Sequence, residues 1–188
     1  MADYTGKRVA VLVTSGVEEV ELTRPVGFLC ALGATVTVIT PSPDEYYNVI
    51  HSTTGIYPGT SLYADALLSE VKPDDFDALY IPGGTSPDHL RLYPEAVAFV
   101  KAFRDKPIFA LCHGPQMLVS AELVSGRTIT SWPSLEVDIK NAGATWVDRD
   151  VVVDGNLVTS RKPVDIPNFN IQIAKVLEHP EQFRRKAA

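Results

Sequence analysis

The chain predicts an α/β protein built on one mostly parallel sheet with helices on both faces. Two observations carry this. Short apolar bursts rich in Val, Ile and Leu alternate with longer segments of helical periodicity over the whole 188 residues. The bursts are nearly continuous rather than alternating, as expected of parallel strands covered on both sides. A third signal, Asp154-Gly155-Asn156 between two β-branched runs, adds an antiparallel hairpin at one edge. The length suits a single domain spanning 1–188.

The elements follow in order. Residues 8–14 (Arg-Val-Ala-Val-Leu-Val-Thr) read as the first strand. Residues 18–32 carry Val20, Leu22, Val26, Leu29 and Leu32 at helical spacing, and Gly33 ends that helix. Residues 35–40 form a second strand. Residues 41–63, with three prolines, four tyrosines, His51 and Gly55, read as a surface excursion holding a small hairpin. Residues 77–81 form a strand broken by Pro82-Gly83-Gly84, residues 94–104 a helix, and residues 108–111 the central strand. A helix over 115–124, a short strand over 127–130 and a helix over 134–142 come next. The hairpin strands 151–153 and 157–160 lead into a closing helix over 164–177.

Bulk properties narrow the function. Seventeen basic against 23 acidic residues leave a net charge of −6, which argues against nucleic acid and anionic membranes as partners. No apolar stretch reaches the length of a membrane span, and the polar start does not read as a signal peptide, so a cytoplasmic protein is expected. Cys30 and Cys112 are far apart, and the four histidines show no paired spacing. Neither a metal site nor a cofactor is expected, and G-x-G-x-x-G and P-loop motifs are absent.

The chemistry concentrates at Cys112-His113-Gly114-Pro115. An apolar strand ends in a cysteine, a glycine permits a tight turn, and a proline opens a helix. A cysteine on such a strand-to-helix corner projects from the sheet edge as a nucleophile, and the helix N-terminus should lower its pKa. The bland alternative is a buried cysteine beside an unrelated histidine. In open parallel sheets, ligands sit beyond the carboxyl ends of the strands. Loop order brings Ser15 to Glu19, Pro82 to His89 and Cys112 to Gly114 to that one edge. Cys30, embedded in an apolar helical stretch, reads as core filling.

These segments resemble the PfpI (intracellular protease I) family, within the superfamily of the parkinsonism-associated protein deglycase. The resemblance rests on Glu18-Glu19-Val20-Glu21-Leu22, Asp77 to Gly84, Cys112 to Gln116, Asn141 to Asp148 and Val151 to Arg161, nearly the whole chain. It implies a flavodoxin-like three-layer sandwich with Cys112 as elbow nucleophile. It also implies Glu18 as the protonated acid against the sulfur; Glu19 and Glu21 read as ordinary helix N-terminal acids. His113 becomes the base, oriented by Asp88 of a neighbouring subunit. Gly83, Gly84 and the N–H groups of His113 and Gly114 become candidate oxyanion donors, and Trp132 a candidate pocket wall. The chain departs from the family's pattern at Asp88 (usually Glu), Thr85 (often Arg) and Trp132 (often Tyr). Asp is one methylene shorter than Glu, which puts its reach to His113 in question. His179-Pro180-Glu181 imitates a glutamine-amidotransferase motif but follows a helix rather than a strand, so it is discounted.

The resemblance leaves three functions open: a peptidase-like hydrolase, a glyoxalase III or deglycase acting on methylglyoxal and its adducts, and a non-enzymatic redox-sensing stress protein. It implies self-association as a homodimer or hexamer, and a small aldehyde or a peptide as substrate.

Overall fold

The computed structural model of the protein describes residues 4–41 and 48–183. Its elements are β1 (Arg8–Leu12), β2 (Val17–Glu18), α1 (Glu19–Ala31), β3 (Thr35–Thr40), β4 (Val49–Thr54), β5 (Tyr57–Tyr63) and β6 (Ala66–Leu67). Then come β7 (Ala78–Ile81), α2 (Ser86–Leu90), α3 (Pro94–Ala102), β8 (Ile108–Leu111), α4 (Pro115–Ser120) and β9 (Thr128–Ile129). The chain closes with α5 (Glu136–Asn141), β10 (Thr145–Trp146), β11 (Val151–Asp154), β12 (Leu157–Ser160) and α6 (Ile166–Glu178).

Seven strands form the main sheet in the order β11-β12-β8-β7-β1-β3-β6. Every pairing is parallel except β11 with β12, the edge hairpin, whose Gly155 takes φ 56° in the turn. Strand alternation distributes β1 between two cores. Ala10 and Leu12 face the side covered by Leu90, Phe99, Val100, Met117, Leu118 and Ile139 of α2 to α5. Val9 and Val11 face the side covered by Leu22 and Leu29 of α1 and Phe169, Ile173 and Val176 of α6. This is the flavodoxin-like three-layer arrangement. It is why the strands are apolar on both faces.

The departures from expectation are local. The helix after Cys112 stops at Ser120, and Glu122 turns the chain with φ 59°. The short strand near residue 128 does not join the main sheet; β9 pairs in parallel with β10 in a two-stranded sheet of its own. The helix expected over 134–142 is a 3-10 turn followed by the shorter α5. The small hairpin expected in the excursion is present and joins a third strand. β4 and β5 form an antiparallel hairpin, and β2 pairs in parallel with β4, making a separate three-stranded sheet beside the carboxyl ends of the main strands. Residues 42–47 of that excursion lie outside the described residues. Cys30 lies on the exposed face of α1, not in the core, because α1 buries the stripe Glu21, Leu22, Pro25 and Leu29 instead. Among the described residues no helix is long and apolar enough to cross a membrane.

One polar cluster ties the edge hairpin down. Arg127, 3% exposed, donates from Nη1 to the Asp154 carbonyl at 3.1 Å, and from Nη1 and Nη2 to Asn156 Oδ1 at 3.1 Å. Asn156 Nδ2 in turn donates to the carbonyls of Arg104 and Lys106 at 2.9 and 2.6 Å. Replacing Asn156 with Ala strips the buried guanidinium and two carbonyls of a shared partner. Urea unfolding of Asn156→Ala should show a loss of about 2–4 kcal/mol. Cys112 alkylation in the folded variant should stay at the wild-type rate.

Candidate active site

Cys112 follows β8 directly and has φ 61°, a left-handed conformation that a non-glycine residue holds only when its surroundings impose it. The surroundings are explicit. Its N–H donates to the Ser160 carbonyl at 3.0 Å, and its carbonyl accepts from Trp132 N–H at 2.9 Å. Two residues on, Gly114 donates to Leu111 O at 2.8 Å, closing the corner before Pro115 opens α4. A Cβ on Gly114 would collide with the carbonyl of Ile81 on the adjacent strand, so only glycine lets the corner pack there. The expected strand-to-helix corner is therefore present, with the sulfur at the sheet's carboxyl edge.

The carboxyl group against that sulfur belongs to Glu21, not Glu18. Glu21 sits in the first turn of α1, 0% exposed, with Oε2 accepting from Gly83 N–H at 3.0 Å and the carboxyl hydrogen-bonded to Cys112. Gly83 makes this approach possible. A Cβ there would strike Glu21 Oε2 and the Cys112 side chain. Pro25 adds a second anchor. Lacking an N–H, it leaves the carbonyl of Glu21 four residues earlier without its helical donor. The buried Tyr80 hydroxyl donates to that carbonyl.

Burial sets the electrostatics of the pair. It raises the Glu21 carboxyl to about 8, with the Glu18 charge adding to the rise, so the group holds its proton at neutral pH. The Cys112 thiol, 7% exposed, is also pushed up, first by burial and then by the neighbouring Glu21 charge. This overturns the expected depression of the thiol. Loss of water outweighs the two N–H donors, Gly84 and His113, that face the sulfur and favour its anion. The two groups thus titrate as one unit with room for a single negative charge. With Glu21 protonated, the charge opposing the thiolate is gone and a carboxylic O–H becomes available to it.

The remaining predicted residues divide. His113 Nδ1 lies 3.3 Å from Cys112 Sγ, and the His113 ring stacks on Trp132 at a centroid distance of 6.1 Å. Burial pushes His113 toward its neutral form, while the Asp88 charge opposes that. Asp88 itself pairs with Arg91 at 3.6 Å, and among the described residues no hydrogen bond joins it to His113 within the chain. Of the candidate oxyanion donors, Gly84 N–H and His113 N–H face the Cys112 sulfur. Gly83 and Gly114 are not donors, because their N–H groups are spent on Glu21 and Leu111.

Glu18 and Glu19 hold the hairpin that walls the site. Glu18 Oε2 accepts from Gly55 N–H at 2.8 Å at the hairpin turn. Glu19 Oε2 accepts from Ser52 Oγ, Thr60 N and Thr60 Oγ1 at 2.8, 2.7 and 2.9 Å, bridging both strands. Those donors, Thr60 N–H foremost, keep the Glu19 carboxyl below its ordinary value. The resulting cavity, about 480 Å³, is lined by Glu18, Glu21, Thr53, Gly55, Ile56, Gly84, Thr85, Cys112, His113, Trp132 and Pro163. A signal for Glu21 was present in the chain. It falls on the helix stripe with Leu22, Pro25 and Leu29, and a carboxyl on a buried stripe requires a partner. Among the described residues no group of three His, Cys, Asp or Glu side chains is arranged to hold a metal ion.

An α/β sandwich with a strained cysteine elbow and a buried carboxyl against the sulfur defines a class of cysteine-centred proteins. The chain belongs to the DJ-1/PfpI family, whose model matches residues 7–176. It is 43% identical to general stress protein 18 of Bacillus subtilis over 176 residues, covering 92% of this chain and 99% of that one. It is 40% identical to protein/nucleic acid deglycase 2 of Escherichia coli over 174 residues, covering 91% and 98%. Among solved structures it superposes on a two-domain protein of Anabaena variabilis containing DJ-1/ThiJ/PfpI-like and ferritin-like domains, with a TM-score of 0.83 and 36% identity. The match covers 91% of this chain and 48% of that chain, about half its length.

The Glu21 shift predicts a pH dependence with a definite sign. A carboxyl raised from 4.5 to about 8 binds its proton more tightly in the folded state. Its contribution to stability is full below pH 4.5 and is lost as pH rises to about 8. Urea midpoints of the wild type should fall across that window, by an amount equivalent to a few kcal/mol at most. Glu21→Gln should flatten the curve. The same variant should move the pH midpoint of Cys112 alkylation downward, because it removes the competing charge and keeps an N–H donor. Glu21→Leu, without a donor, should leave the midpoint above that of Glu21→Gln.

Proposed function

We propose that this protein is a cysteine-dependent enzyme acting on 2-oxoaldehydes such as methylglyoxal and on their adducts, in the manner of a glyoxalase III or deglycase. The observation that supports this reading best is the Glu21–Cys112 pair, a protonated carboxyl beside the nucleophile, while His113 lacks an orienting carboxylate within the chain. Peptide hydrolysis leans on an oriented histidine. Aldehyde addition needs a thiolate, an acid and an oxyanion site.

In this reading the Cys112 sulfur attacks the aldehyde carbon. The carbonyl electron pair moves to oxygen, which Gly84 and His113 N–H receive, giving a hemithioacetal. A proton then leaves the former aldehyde carbon and one is returned to the adjacent ketone carbon, with Glu21 and His113 as carriers. The first carbon is oxidised to a thioester and the second reduced to an alcohol, so no outside oxidant is needed. Water cleaves the thioester, freeing the thiol and a 2-hydroxy acid. The role first given to Glu18 passes to Glu21.

A redox-sensing role has support from the same donors. Gly84 and His113 N–H would hold the oxygens of a sulfinic acid at Cys112. The name of general stress protein 18 agrees with either reading. Self-association as a homodimer or hexamer, which the family resemblance implies, is a separate part of the proposal. A sedimentation mass of one 20.5 kDa chain at micromolar concentration would overturn that part.

The deciding assay compares wild type and Cys112→Ser on methylglyoxal and on a fluorogenic peptide. Wild type should convert methylglyoxal to lactate with a kcat/KM above that for the peptide, and Cys112→Ser should lose at least about 100-fold. Turnover surviving in Cys112→Ser, or peptide preferred over methylglyoxal, refutes the proposal.

A further inference from the structure

The cavity has an uneven charge distribution. Among the described residues, its lining contains two carboxyl side chains, Glu18 and Glu21, and no lysine or arginine. Glu21 holds its proton at neutral pH, and burial drives His113 toward its neutral form. Glu18 is left as the formal charge of the lining. Its backbone is fixed by pairing with Thr53 on β4 and by Glu18 N–H donating to Gly83 O at 3.3 Å. Its Oε2 accepts one neutral N–H, that of Gly55. The neighbouring walls are Ile56, Trp132 and Pro163. Apolar walls do not screen a charge as water does, so its field reaches further into the cavity.

From this we infer that Glu18 is a specificity-determining residue that selects electrophiles by charge, admitting uncharged carbonyl compounds to Cys112 and turning away carboxylate-bearing ones. Uncharged 2-oxoaldehydes pass; 2-oxo acids of similar size do not. The inference rests on the aldehyde reading for its natural substrate class. It has a second consequence under that reading. A neutral substrate leaves as a 2-hydroxy acid anion beside Glu18, and the same repulsion favours product release.

The test separates the selection from the reaction. Iodoacetamide and iodoacetate alkylate a thiolate by the same displacement, sulfur–carbon bond for carbon–iodine bond with loss of iodide, and differ in one carboxylate. Both reagents are applied to the full chain, and peptide mass mapping reads Cys112 and Cys30 separately. Cys30, exposed on α1, supplies the ratio of an ordinary surface thiol in the same molecule. The iodoacetamide-to-iodoacetate rate ratio at Cys112 should exceed that at Cys30 by about fivefold, the factor imposed by like charges a few ångströms apart in water. Glu18→Gln keeps an oxygen for Gly55 N–H and should bring the ratio to within about twofold of Cys30. Glu18→Lys should invert it. Equal ratios at the two cysteines of the wild type, or no change in Glu18→Gln with its melting curve intact, overturns the inference. Absence of methylglyoxal turnover in the wild type would instead defeat the aldehyde reading, because alkylation needs no turnover. With turnover present, 4,5-dioxopentanoate, a 2-oxoaldehyde that carries a carboxylate, should gain on methylglyoxal in Glu18→Gln by a similar factor.

Discussion

A carboxyl group and a thiol packed together out of water accommodate at most one negative charge, and the site is arranged around that limit. Glu21 reaches Cys112 only because Gly83 carries no side chain and because the first turn of α1 is aimed at the sheet edge. Pro25 and Tyr80 hold the Glu21 backbone from below, one by vacating a helical hydrogen bond and the other by filling it. The Cys112 elbow meets it from above, its left-handed backbone maintained by Ser160, Trp132 and the glycine turn at Gly114. Separate parts of the chain therefore converge on one proton. The direction in which both groups titrate follows from the water they have lost.

The three glutamates of Glu18-Glu19-Val20-Glu21 show how strongly position within an element governs chemistry. Glu18 ends a two-residue strand and faces the cavity and the hairpin turn. Glu19 opens a helix and clamps both hairpin strands from the exposed side. Glu21 lies one half-turn further on and enters the core. Identical side chains become a charged wall, a latch and a proton-holding acid. The hairpin is thereby attached to the same short stretch that carries the acid, so the shape of the pocket and the state of the nucleophile share a support.

This arrangement also explains the position of His113. It touches the sulfur and stacks on Trp132, and within the chain the acidic charge that acts on it is that of Asp88, itself engaged with Arg91. Burial pushes such a histidine toward its neutral form, and no carboxylate of its own chain aligns it. Gly84 and His113 N–H groups face the sulfur and favour a negative charge on it.

Sequence alone determined the architecture and the strand-to-helix corner on which Cys112 sits. Continuous apolar strands can exist only when both faces of a parallel sheet are covered, and a strand running into Cys-His-Gly-Pro has few ways to turn. Local pattern also located the edge hairpin, since Asp154-Gly155-Asn156 suits a tight turn by its own backbone preferences. What only the tertiary structure decided was which neighbours meet across the edge. The choice of Glu21 over Glu18 depends on the helix phase and on the space vacated by Gly83, the donor duties of Gly83, Gly84 and Gly114 on which N–H groups were already taken, and the upward shift of the thiol on burial. Each of these is a competition between contacts distant in sequence, and such a competition is settled by packing, not by the local preferences of any single segment.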